Sequence, residues 1–399
     1  METRIYLDHA ASTPVREEVV AAMLPYFGSL GFNASSPHAE GQAARAALES
    51  ARTTVAQLLG VSAREVVFTG GGSEADNLAI FGVARARRCE GSHVLTVATE
   101  HHAVLHAVDV LREDGFSVTV LPVDAQGRLD PARFAAALQP TTILASVMLA
   151  NNELGTVHPI RELGALCRAR GIVFHCDAMQ APGRLPLSEI AASVDLLALS
   201  GHKFYGPKGV GALYVRTGTP VAPLVVGGEQ EAGLRAGTEN VAGIVGFARA
   251  FELAAAELPQ EAARLAGLRD QFEAELVRRV PGVRVNAAHG ERLPNIASIT
   301  FEGIEARTLL VRLDLAGLAV SAGSACAAGS VSPSHVLAAL GMPRAEQLGT
   351  LRFSFGRLTA ADDARRALEA VARAVAALRV AQAEVGTSES GAITSHVGV

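Results

Sequence analysis

The sequence predicts an α/β fold: a large domain on a mainly parallel seven-stranded sheet covered by helices, plus a smaller α+β domain formed by the C-terminal part. The N-terminal segment is expected to pack near the smaller domain. Between about residues 64 and 215 one phrase recurs, a short run rich in Val, Ile and Leu, a polar or glycine break, then a segment with helical period. Strands apolar on both faces that alternate with helices belong to parallel sheets sheltered on both sides. After Pro281-Gly282 the rhythm changes to shorter strands between helices, which marks a second unit of mixed topology.

The seven runs are Glu65 to Thr69, His93 to Ala98, Ser117 to Val123, Thr142 to Leu149, Ile172 to Asp177, Asp195 to Ser200 and Gly211 to Val215. Two Ala- and Leu-rich helices are expected across 240–280. The later strands are Val283 to Ala287, Asn295 to Phe301, Leu318 to Ser321 and Leu351 to Phe355. These elements divide the chain into a large domain at 15–256 and a small one made of 1–14 and 257–379. The stretch 380–399 is rich in Ser, Gly and Thr without periodicity and is expected to be a disordered tail.

Composition narrows the function. Forty acidic residues against 35 Lys plus Arg, a net charge of -5 and 19% charged residues argue against nucleic acid or an anionic membrane as main partner. No apolar run reaches the roughly 18 residues of a membrane helix. The start, METRIYLDHA, carries Asp8 and His9 where a signal peptide is apolar, so a cytoplasmic setting is expected. Four cysteines without a CxxC pair make neither a disulfide framework nor a four-thiolate zinc site, and no metal is expected.

In open parallel sheets ligands bind beyond the carboxyl ends of the strands. The first run ends in Gly70-Gly71-Gly72-Ser73-Glu74-Ala75-Asp76-Asn77, where glycines permit close backbone approach and a helix start offers N–H groups to a phosphate. The bland alternative makes it a glycine turn with Ser73 as helix cap. The second run leads to Thr99-Glu100-His101-His102, the fourth to Asn151-Asn152-Glu153 and the fifth to Asp177-Ala178-Met179-Gln180. The sixth ends in Ser200-Gly201-His202-Lys203, with Lys208 a few residues on. A lysine at this edge suits Schiff-base chemistry, and spacing alone does not choose between Lys203 and Lys208. A helix start for a phosphate, a carboxylate for a pyridinium, a ring to stack and an imine-forming lysine together meet the needs of pyridoxal 5'-phosphate.

With these residues in view the chain resembles the cysteine desulfurases of the class V aminotransferase group, which have fold-type I architecture. The matching stretches are Tyr6 to Pro14, Asn33 to His38, Phe68 to Asn77, Thr99 to His102, Asn151 to Gly155, Asp177 to Gln180, Ser200 to Gly211, Arg235 to Asn240, Ser321 to Cys326 and Arg352 to Arg357. The resemblance implies that Lys203 holds the cofactor through an imine, that Asp177 pairs with its ring nitrogen, that His101 stacks on the ring and moves protons, and that Gln180 reaches the ring hydroxyl. By the same resemblance Ser73, Ser200 and His202 hold the phosphate, and Asn152 and Arg352 bind the substrate carboxylate. Ser73 replaces the group's usual Thr, and Met179 stands where the group has a small or polar residue.

Of the cysteines, Cys89, Cys167 and Cys176 read as core or surface residues. Cys326 stands in a run of small residues, Ser321 to Ser330, which reads as an exposed loop. The implied reaction converts L-cysteine to L-alanine and leaves the sulfur on Cys326 as a persulfide, for an acceptor such as an iron–sulfur scaffold or a tRNA-thiolation protein. Selenocysteine lyase, cysteine sulfinate desulfinase and aminotransferase chemistry are the alternatives on the same fold. The resemblance further implies a homodimer with shared active sites, in which Thr238 meets the phosphate of the neighbour's cofactor. On spacing alone Thr238 would cap its own helix.

Overall fold

A computed structural model describes residues 4–323 and 333–393, with side chains described as far as Glu384. Cys326 lies outside the described residues. The strands are β1 (Ile5–Tyr6), β2 (Val66–Thr69), β3 (His93–Val97), β4 (Ser117–Leu121), β5 (Thr142–Ser146), β6 (Val173–Asp177), β7 (Leu196–Ser200), β8 (Gly211–Val215), β9 (Val283–Val285), β10 (Ile296–Phe301), β11 (Leu318–Ala319) and β12 (Thr350–Ser354). The helices are α1 (Glu17–Met23), α2 (Ala39–Leu59), α3 (Gly72–Ala86), α4 (His102–Glu113), α5 (Pro131–Ala137), α6 (Ile160–Arg168), α7 (Ser188–Ser193), α8 (Val241–Arg279), α9 (Ala306–Leu315), α10 (His335–Ala339), α11 (Arg344–Leu348) and α12 (Ala361–Ile393).

Seven strands form the large sheet in the order β2-β8-β7-β6-β5-β3-β4. Its neighbours pair in parallel except at β8, which runs antiparallel to both β2 and β7. The expected mainly parallel seven-stranded sheet is therefore present, and its strands are buried on both faces except the half-buried edge strand β4. Side chains alternate across β6: Val173 joins the core under α3 and α4, whereas Phe174 and Cys176 point into the core on the other face. That alternation puts His175 and Asp177 on the α3 side.

A second core gathers Ile5, Leu7, the C-terminal half of α8, α9 and α12 around an antiparallel sheet of order β12-β10-β9. There β1 pairs in parallel with β11, Ile5 opposite Leu318, which ties the chain start to the C-terminal part.

Two expectations are corrected. The segment 240–280 is a single helix of 39 residues, α8, with Pro259 inside it. A proline in a helix interior costs about 3 kcal/mol. Strong helix formers on both sides, Ala254-Ala255-Ala256 and Glu261-Ala262-Ala263, and burial of both halves offset that cost: Ala254 lies in the first core and Leu265 in the second. The stretch from 380 is also not unstructured throughout, because α12 runs on to Ile393. Val380 to Glu384 propagate the helix, and Gln382 Nε2 donates to Gly303 O at 2.9 Å. Among the described residues no helix is long and apolar enough to cross a membrane.

Candidate active site

The carboxyl ends of the parallel strands open on a cleft of about 400 Å³ walled by Ser12, Gly70 to Glu74, Ser200, His202, Lys208 and Gly209. Its floor is backbone. α3 begins at Gly72 with Gly71 as its N-cap at φ 151°, so Ser73 sits in the first turn and the capping alternative for it fails. Glu74 steadies the cradle, accepting from Gly70 N at 2.8 Å and from Arg235 Nε at 2.9 Å. A Cβ on Gly72 would collide with the Met179 sulfur, which gives Met179 a packing role under the cradle.

Gly211 is more constrained. A Cβ there would stand 2.7 Å from Gly71 C and 2.7 Å from Leu199 O, both backbone atoms. Gly211→Ala must push the cradle away from β7, an overpacking cost of about 1–3 kcal/mol. A lower Tm and faster loss of cofactor on dilution are expected; unchanged values for both would show that the cradle is not held by this contact.

β7 delivers Lys203 in a short 3-10 turn, Gly201–Lys203, directly at its end. Its Nζ donates to Ala10 O at 2.9 Å and Ala11 O at 2.8 Å, and Arg184 Nη2 donates to its carbonyl at 3.1 Å. Gln180 Nε2 donates to the same Ala10 O at 2.9 Å, while its Oε1 is buried with no hydrogen-bond partner among the described residues. Asp177, 5% exposed at the end of β6, accepts from Met179 N at 3.0 Å through Oδ1. Burial, and secondarily the nearby Asp76, push its carboxyl up to about 7.

His101 caps α4, its Nδ1 accepting from Ala103 N at 3.1 Å, and it shares a hollow with Ser73 and Asn77 beside the cleft. Burial first, then the Lys203 ammonium, depresses its imidazole to about 4. His202 is lowered to about 4 for the same two reasons in the same order. Both rings are therefore neutral at physiological pH and can hydrogen-bond without adding charge.

Arg352 on β12 is 2% exposed and comes to the site from the second sheet. Its Nη2 pairs with Asp8 Oδ1 at 2.7 Å and its Nη1 donates to Asn152 O at 2.8 Å, so the expected carboxylate-binding pair stands together. Arg352 Nε is buried without a partner among the described residues, which leaves one N–H of the fork for a further acceptor.

One segment that the sequence reading left without a role stitches these parts together. Asp8 holds Arg352, Ala10 and Ala11 hold Lys203, Ser12 Oγ lies 3.3 Å from His202 Nδ1, and Thr13 Oγ1 donates to His202 O at 2.9 Å. Glu153, named after the fourth run, was likewise given no role. It accepts from Ser334 Oγ at 2.6 Å, and its Oε2 lies against Gly323. Both residues flank the undescribed stretch that contains Cys326. Thr238 is exposed and does not cap α8, because Asn240 does, its side chain accepting from Gly243 N at 3.0 Å.

The site fits pyridoxal phosphate. Gln180 Oε1 awaits a donor such as the ring hydroxyl, and a Cβ on Gly71, at φ 151°, would meet nothing within 4 Å, so the start of α3 leaves open space for a phosphate to approach its backbone closely.

The family model for class-V aminotransferases matches residues 5–366. The chain belongs to this family. It is 46% identical over 379 residues to a protein named cysteine desulfurase IscS from Dictyoglomus turgidum, covering 95% of this chain and 96% of that one. It is also 46% identical to one of the same name from Methanosarcina thermophila, covering 94% and 93%. Among solved structures, a NifS-like protein superposes with a TM-score of 0.88 at 34% identity, covering 94% of this chain and 100% of the other. This class-V chain is thus a pyridoxal phosphate-dependent enzyme with cysteine desulfurase function.

Proposed function

We propose that sulfur from L-cysteine passes to Cys326 as a persulfide and from there to an acceptor protein such as an iron–sulfur scaffold. The observation that carries this reading is the convergence of Lys203, Asp177 and the glycine cradle on one strand edge, with Ser334, on one flank of the Cys326 stretch, hydrogen-bonded to Glu153. When bound, pyridoxal phosphate supplies the electron sink for bond changes at the substrate's α-carbon.

Lys203 holds the cofactor and takes the α proton on Nζ, and the Ala10 and Ala11 carbonyls that hold Nζ give it a resting place. Ser73, Ser200 and His202 bind the phosphate, Gln180 the ring hydroxyl and Asp177 the ring nitrogen. His101 stacks on the ring, and its neutral imidazole can carry a proton. Asn152 and Arg352 orient the substrate carboxylate. The Cys326 thiolate attacks the substrate sulfur: an S–S bond forms, the carbon–sulfur bond breaks with its electron pair staying on carbon, and that carbon takes a proton and leaves as alanine. Sulfur label from L-cysteine should move from the protein to an added iron–sulfur scaffold protein. Label that stays on the enzyme when the scaffold is added would contradict delivery to such an acceptor.

The two cores, meeting within α8 between Ala254 and Leu265, support domains at 15–256 and at 1–14 with 257–379. A cytoplasmic setting accords with buried free thiols at Cys167 and Cys176. A homodimer is supported by large apolar side chains left in water, Phe27 at 69% and Val226 at 83% exposed, Val226 lying on the segment that leads to Thr238. In that dimer Thr238 contacts the partner's cofactor phosphate.

Complementation tests it. Lys203→Ala and Thr238→Glu chains, each inactive alone, are expected to regain roughly a quarter of wild-type activity when remixed, since half the dimers are mixed and each has one intact site. A remixed sample with confirmed subunit exchange that stays inactive would show that Thr238 serves its own chain.

A further inference from the structure

The segment that carries Thr238 is built on the cofactor cradle of its own chain. Arg52 on α2 and Glu231 are each 8% exposed and form a two-pronged ion pair, Nη1 to Oε2 at 2.6 Å and Nη2 to Oε1 at 2.7 Å. Glu231 Oε2 also accepts from Phe68 N at 2.8 Å, on β2 just before the cradle. Arg52 Nη1 donates to Val66 O at 2.7 Å, and its guanidinium lies 5.0 Å from the centre of the Phe68 ring. Further along, Arg235 Nε reaches Glu74 at the cradle, and Gln230 Oε1 accepts from Gly237 N at 3.2 Å, next to Thr238.

Holding a loop in this way carries two penalties. The turn that contains Glu231 puts two consecutive non-glycine residues in the left-handed region, Glu231 at φ 49° and Ala232 at φ 57°. Such backbone persists only where its surroundings over-determine it, as three hydrogen bonds to one carboxylate do here. A buried ion pair is also a poor source of net stability, since apolar side chains of similar volume often hold a fold as well. What the pair supplies is direction, because a planar guanidinium fork facing a carboxylate fixes both partners in one geometry. Yet the end of the segment does nothing for its own chain: Thr238 is exposed and leaves the cap of α8 to Asn240.

We propose that Glu231, gripped by Arg52, is a positioning residue that acts across the subunit interface, setting where Thr238 meets the phosphate of the partner's cofactor. Glu231 touches neither substrate nor cofactor and acts through the backbone of 231–238, with Gln230 closing that loop on Gly237. The inference rests on the reading that Thr238 serves the partner's site. Because the anchors lie on α2, β2 and α3 of the same chain, each chain uses its own cradle as the base from which it reaches the other's cofactor.

The test uses the mixed dimers of Lys203→Ala and Thr238→Glu chains, whose single intact site takes Lys203 and its cradle from one chain and Thr238 from the other. The readout is the pyridoxal phosphate concentration that gives half-maximal activity. Glu231→Gln placed in the Lys203→Ala chain, which supplies Thr238, is expected to raise that concentration about tenfold, the effect of one lost hydrogen bond to a charged group. The same change placed in the Thr238→Glu chain, whose own segment faces the dead site, should leave it near that of the parent mixture. Gln230→Ala should give the same one-sided result with a smaller rise and serves if Glu231→Gln prevents folding. A pair that only supports the fold would lower the Tm and act equally from either chain. No rise from either placement, an equal rise from both, or a larger one from the Thr238→Glu chain, with the parent mixture active, overturns the role of Glu231 alone. A parent mixture that stays inactive after confirmed subunit exchange overturns the reading of Thr238 and the role of Glu231 with it.

Discussion

Lys203→Ala is expected to lower desulfurase turnover by at least about a thousandfold, because loss of a general base alone removes about two to four powers of ten and the covalent hold on the cofactor goes with it. The same variant should lose the protein–cofactor bond that borohydride fixes in the wild type. Lys208→Ala is the matched control. Lys208 is exposed on the rim of the cradle and should keep both the reducible bond and most of the activity. The two lysines differ in what holds them: Lys203 is set by two backbone carbonyls and by Arg184 under its own carbonyl, which aims one conformation at the strand edge. Borohydride trapping of the cofactor on Lys208 would reverse the assignment.

The second large effect falls at Cys326. Cys326→Ser should keep the cofactor and still bind L-cysteine, yet release no alanine beyond about a thousandth of the wild-type rate. A thiol near its usual pKa of about 8.5 is already a few per cent thiolate at neutral pH, whereas a serine hydroxyl is not ionised there without an adjacent base. The other cysteines are poor substitutes. Cys167 and Cys176 are buried, and burial pushes the Cys167 thiol up to about 12 and that of Cys176 well above its usual range. Alanine release at the wild-type rate from Cys326→Ser would mean that the sulfur leaves by another route.

Much of the fold could be read from residue order because the central strands of the large sheet are buried on both faces. His93 to Ala98 and Ile172 to Asp177 are unbroken apolar or small runs apart from single polar residues, and β3 and β6 occupy them to within a residue. The candidate side chains stood out for a related reason: an open parallel sheet gathers whatever follows its strands, so Asp177 and Lys203 were read at the ends of runs, while the preference for Lys203 over Lys208 came from the resemblance. What could not be read came from far along the chain or from backbone atoms. The Ala10 and Ala11 carbonyls reach Lys203 across some 190 residues and have no side-chain signature.

Arg52 and Glu231 were hidden differently, since a basic residue on a helix and an acid in a loop look ordinary until the fold brings them together beside β2. The segment 240–280 differed in the opposite sense, expected as two helices where burial of both halves of α8 keeps one helix whole around Pro259. Thr238 shows how a local signal loses to a neighbour: Asn240, two residues on, takes the cap and leaves Thr238 in solvent.

The account turns on where the sulfur goes first. Brief exposure of the holoenzyme to L-cysteine, alkylation, digestion and mass spectrometry should find one added sulfur atom on the peptide that contains Cys326, with an equal amount of alanine released. Added sulfur confined to peptides of Cys89, Cys167 or Cys176, with the Cys326 peptide unmodified, would contradict it.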